Sequence, residues 1–261
     1  MINTLSTFRG ICLLLVYTST VSLHAAASET LSSAPIYETL WGNSLKAYCH
    51  EKQIFRERIT YVDYASLMGS QTFQVIHQLL RLQHPNELIS KEDKLSFWIN
   101  VYNFTVIKLI VDHYPIPSLE DLNTKTLPIW DKKVITVGNM PYSLSDIRDN
   151  VLRSQGDPRI HFALVDGAKS SPDLLPKPFT ASKLDTQLTY QQNRFLNNAK
   201  KGLRFNHTSK QIYLSLLFKH FQSDFGSLED IRTLASGYTD RDISNYSITY
   251  FAFDRALNDV P

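Results

Sequence analysis

Cysteine is scarce in this 261-residue chain, which has two, Cys12 and Cys49. Only Cys49 lies beyond the first 27 residues, so a processed chain could form no internal disulfide and would depend on packing alone. The familiar catalytic strings are missing as well. There is no C-x-x-C, H-E-x-x-H, P-loop or G-x-S-x-G, which argues against redox dithiols, zinc proteases, nucleotide binding and the common serine hydrolases. No residue set implies a metal or a cofactor. Charge of one sign is lacking too, with 27 Lys+Arg against 25 Asp+Glu. Without a broad positive field, nucleic acid is excluded as a partner.

Long apolar runs are also absent. The longest candidate, "GICLLLVYTSTVSL", is diluted by Thr18, Ser19, Thr20 and Ser22 and falls short of the roughly 18 residues a spanning helix needs. Preceded by Arg9 and followed by Ala25, Ala26 and Ala27, it has the layout of a secretory signal peptide over residues 1–27. Cys12 lacks the small neighbours of a lipidation site. Cleavage would remove Arg9 and take the net charge from +2 to about +1. The expectation is an exported protein, periplasmic or secreted, with no transmembrane segment after cleavage.

What is present reads as one α+β domain over 28–261, with its core at about 40–258. A buried central helix is expected to pack on a mainly antiparallel sheet. Residues 36–85 carry helical spacing, through "SLKAYCHEKQ" and "YASLMGSQTFQVIHQLLRLQ". Ser90 and Asp93 form a capping box for "KLSFWINVYNFTVIKLIVDHYP", which Pro115 ends. That segment is apolar almost all round, the mark of an interior helix, yet Ser96, Asn100 and Asn103 fall at i, i+4 and i+7 on one face. Buried amides are costly unless bonded, so something polar must meet that stripe. Residues 127–144 read as a hairpin turning at Gly138-Asn139, and "SLSDIRDNVLRSQ" as a short helix stopped by Gly156 and Pro158. "RIHFALV" (159–165) alternates like a strand before the polar elbow "DGAKSSP". A helix over 180–202, a strand pair running into a helix near 203–221 and a closing strand in "NYSITYFAFDRALND" complete the pattern.

A histidine leading into a loop with two hydroxyls, an acid and a lysine permits two readings. In one, Asn100, Tyr102, Asn103, His161, Asp166 and Lys169 line a site for a small-molecule ligand or a protein partner, without catalysis. In the other, His161 acts as base on Ser170 or Ser171, with Asn100 or Asn103 as orienter, in a hydrolase or acyl transferase. Gly, Ser, Pro and Asp are equally the ordinary residues of a turn, and His161 fits a hydrogen-bonded core position. Cys49 reads as an unreactive free thiol.

Five stretches in order, "KLSFWINVYNFTVI", "SLSDIRDNVLR", "DPRIHFALVDGAKSSPDL", "LSLLFKHFQSDF" and "FDRALN", resemble the DUF547 family. This is a domain of unknown function found in exported bacterial proteins and some plant proteins. The likeness spans about residues 40–258 and is retained at Trp98, Asn100, Tyr102, Asn103, Arg153, His161 and Gly167. Relatives commonly read H-F-A-L-x-C-G-x-x-S-C-P; Asp166 and Ser171 stand here in place of the cysteines. Arg148 and Asp149 replace a Glu-His, and Asp254 to Asn258 replace Asp-Trp-Ser-Leu-Asn. Neither substitute matches a thiolate as nucleophile or zinc ligand. The resemblance therefore implies a degenerate site kept as scaffolding, with Arg148 and Asp166 paired where the thiol chemistry stood.

Overall fold

The computed structural model describes residues 33–54 and 57–261. The signal peptide expected over 1–27, with Cys12, lies outside the described residues. Residues 32–261 form one compact unit. It opens with α1 (Ser33–Tyr48), which gives way to a hairpin of β1 (Cys49–Ile54) and β2 (Glu57–Val62), paired antiparallel from Cys49↔Val62 to Ile54↔Glu57. The helix expected to run through "SLKAYCHEKQ" thus stops at Tyr48. Helical spacing there concealed a polar ribbon whose outer face is solvated.

A short α2 (Tyr64–Leu67) and α3 (Gln71–Leu82) follow, α3 burying Phe73, Ile76 and Leu80 along one stripe. The interior helix is α4 (Lys91–His113). Its capping box is formed as expected: the Ser90 hydroxyl accepts from the Asp93 amide at 2.9 Å, and the Asp93 carboxylate accepts from the Ser90 amide at 3.3 Å. Such a box contributes on the order of 1 kcal/mol. From Leu95 to Val111 the helix is buried on nearly every side. Its main neighbours are α2, α5 (Leu184–Leu196), a π-helix (Asp146–Leu152) and two 3-10 turns. The chain is α+β, but this helix packs chiefly on other helical segments rather than on the face of one sheet.

The strands form small sheets around that helical centre. β3 (Ile135–Val137) and β4 (Met140–Tyr142) make the expected hairpin. Its turn needs positive φ at both Gly138 (56°) and Asn139 (65°). β5 (Leu203–Asn206) and β6 (Gln211–Leu214) are antiparallel, and β7 (Ser247–Tyr250) adds parallel to β6. Next to this sheet lie α6 (Leu217–His220), α7 (Gln222–Phe225) and α8 (Leu228–Ser236).

Two apolar clusters result. The larger surrounds α4, and the smaller joins Phe162, Phe195, Ile212, Phe218 and Ile231 beneath the three-stranded sheet. The strand expected over 159–165 is instead a 3-10 helix, Pro158–Phe162. Pro158 at its first turn and the Asp157 carboxylate accepting from the Arg159 amide at 3.0 Å start it. Ile160 through Val165 are all buried, so the apolar alternation marks no two-sided strand. Ile160 and Leu164 enter the larger cluster while Phe162 enters the smaller, which places this turn at the junction of the two. Residues 256–260 then pin the elbow from behind. Asn258 donates its amide to Gly167 O (2.9 Å), accepts from the Val62 amide (3.0 Å), and takes the Tyr64 hydroxyl on its side chain (2.7 Å).

Candidate functional site

The polar stripe of α4 meets backbone. Asn103 donates to Ala163 O at 2.9 Å and accepts from the Val165 amide at 3.1 Å. One turn earlier, Asn100 does the same to Phe179, donating at 2.7 Å and accepting at 2.9 Å. Ser96 turns back to Asp93 O within its own helix. Each asparagine acts as a substitute peptide group, holding a loop where no strand pairs with it. Gln187, on α5, repeats the device on Pro178 O and the Thr180 amide. Asn103 thus holds the stretch that carries His161, while Asn100 holds the backbone at Phe179.

In front of the elbow lies a cleft of about 270 Å³. Tyr102 reaches it from α4, Arg148 from the π-helix, His161, Asp166, Ser170 and Ser171 from the elbow, and His220 and Phe221 from the segment after β6. Asn100 and Asn103 are not among its walls, and Lys169 is exposed on another surface.

His161 donates through Nε2 to Asp224 Oδ2 at 2.7 Å and stacks on Phe221, ring centroids 4.2 Å apart. Arg153 grips the same carboxylate through two nitrogens, at 2.6 and 2.7 Å, and reaches Asp149 at 3.2 Å. The Arg153 contacts, then the His161 bond, hold the Asp224 carboxyl far below its ordinary range. Burial lowers the His161 pKa; Asp224 pulls it up, and Arg153 and Arg148 push it down again. The imidazole is thus kept neutral by its surroundings at neutral pH.

Arg148 does not pair with Asp166 as expected. Its Nε and Nη2 hold Asp149 at 2.9 and 2.7 Å, because Asp149, its immediate neighbour on the π-helix, is already within reach. Asp166 forms no ion pair among the described residues, and burial raises its pKa to about 6 against the pull of Arg148. Ser171 donates to Ala168 O at 2.8 Å, and Ser170 accepts from the Asp254 amide at 2.8 Å. Among the described residues neither hydroxyl bonds His161. Cys49 is free, and burial, then the charge of Glu51, pushes its thiol up to about 12. No group of three or more His, Cys, Asp or Glu among the described residues could hold a metal ion.

The buried helix clamped to the elbow that carries His161 and Gly167 is the part of the chain on which the family likeness rests. Residues 86–196 match DUF547, described as a protein of unknown function. No curated protein and no solved structure matches the chain. The matched segment supplies Tyr102, Trp130, Arg148, His161, Asp166, Ser170 and Ser171 to the cleft; Phe221, His220 and Arg255 come from beyond it, as does Asp224, the partner of His161. Those later residues were the ones sequence reasoning missed. The string "LSLLFKHFQSDF" contained the signal, but nothing in its spacing marks Asp224 as the partner of a histidine 63 residues away.

Proposed function

We propose that this chain is an exported, non-catalytic DUF547 protein that binds a small ligand in the cleft before the elbow. The observation carrying this reading is the state of the two serines. The cleft offers charged groups on apolar walls, as binding pockets do, while both hydroxyls are engaged with backbone rather than with His161. A hydroxyl without an adjacent base is a weak nucleophile, and the His161–Asp224 pair is used to join two clusters. Export is supported by the layout of residues 1–27. No helix among the described residues is long and apolar enough to cross a membrane.

A thermal-shift screen of small metabolites against wild type and Leu216→Trp, which fills the cleft, tests the reading. Compounds that raise the melting temperature of wild type alone are expected. Equal shifts in both proteins would overturn the assignment of the cleft. Turnover of p-nitrophenyl acetate that disappears in Ser170→Ala or Ser171→Ala would favour the hydrolase instead.

A further inference from the structure

The cleft presents opposite charges on facing elements without letting them meet. Arg148 projects from the π-helix with one edge of its guanidinium fixed by Asp149, and Nη1 makes no carboxylate contact among the described residues. Asp166 projects from the elbow with no ion pair among the described residues. Tyr102, Arg148 and Asp166 line the same cleft. The remaining charged pair at the rim, Arg255 and Glu120, satisfies itself at 2.6 Å. Trp130, Leu164, Leu216, Phe221 and Phe253 supply the apolar wall. At about 270 Å³ the space lies just below the range for drug-sized ligands.

Resting on the binding reading above, we infer that the cleft receives a small zwitterion with an apolar side chain, the chemistry of a free α-amino acid, its carboxylate on Arg148 and its ammonium on Asp166. A simple carboxylate would meet Arg148 but be repelled by Asp166, and a simple amine would meet the reverse. Only a ligand carrying both charges satisfies both walls. Burial of the ammonium beside Asp166 would hold that carboxyl ionised, so the zwitterion should bind less tightly as pH falls through about 6, where free Asp166 takes up its proton. A simple carboxylate should bind more tightly over the same interval. The other charged or titratable groups facing the space are Glu120, Arg255, His161, His220 and Tyr102. A His220→Gln control removes the imidazole nearest the rim from the comparison.

Isothermal titration of the full chain with L-phenylalanine, 3-phenylpropionate and phenethylamine separates the cases. Expected is binding of L-phenylalanine at least tenfold tighter than of either fragment, weakening on acidification in wild type and in His220→Gln. Asp166→Asn, which keeps the shape, should cost L-phenylalanine tenfold or more and leave 3-phenylpropionate equal or improved. Equal binding of either fragment, unchanged affinity in Asp166→Asn, or no binding of L-phenylalanine overturns the inference. If a fragment binds as tightly as L-phenylalanine and Leu216→Trp blocks it, the binding cleft stands while the zwitterion falls; if Leu216→Trp binds it as well, both fall.

Discussion

A carboxyl group whose pKa burial raises from its ordinary value of about 4 to about 6 should leave a signed trace in a melting curve. Between those values folded Asp166 holds a proton that the unfolded chain has released. Its contribution is therefore fully present below about pH 4 and lost as pH rises through 6. Asp166→Asn, which cannot ionise, should melt above wild type at pH 7.5 and level with it at pH 4. Parallel curves for the two proteins would show that Asp166 is not desolvated. Gly167, beside it, adopts φ of +72°, and a Cβ there would come within 2.4 Å of Ile110 Cδ1. Gly167→Ala should cost about 1–3 kcal/mol in urea unfolding, from backbone strain and overpacking together. No change in midpoint would mean the elbow has another conformation open to it.

At the level of the elements, what could be read in the sequence depended on how local its cause was. The capping box at Ser90, the hairpin turn at Gly138-Asn139 and the buried α4 follow from neighbours in the chain, and each is where the pattern puts it. The requirement that something polar face Asn100 and Asn103 was also legible, since the cost of an orphaned amide is general. What faces them was not, because Ala163, Val165 and Phe179 offer only backbone, which has no residue signature. The 159–165 segment misled for a related reason: alternation implies a strand only when one side is solvated, and here both sides are covered. Asn100→Leu removes both bonds to Phe179 and should lower stability by about 1–3 kcal/mol. Hydrogen exchange at the Phe179 amide should accelerate with it. A variant that melts like wild type with that amide still protected would refute the clamp.

Across the whole molecule, Asp224 ties the two clusters together, since it binds Arg153 near the larger one and His161 at the junction. Asp224→Ala should unfasten the segment from 217 to 250 first. Exchange there should rise while α4 stays protected, whereas a uniform rise would mean the two clusters unfold only together. Partners of this kind, remote in the chain, are invisible to any local pattern, which is why the cleft was only half legible. The same remoteness has a kinetic side. Tyr64 and Asn258, which fasten the back of the elbow, are 194 residues apart, and contacts of such span are made late because loop closure must come before them. The cleft should then be among the final features to assemble. A cleft occupant would act as a brake on opening, lengthening the lifetime of the folded chain in a stopped-flow urea jump, while the speed of refolding stays as it was.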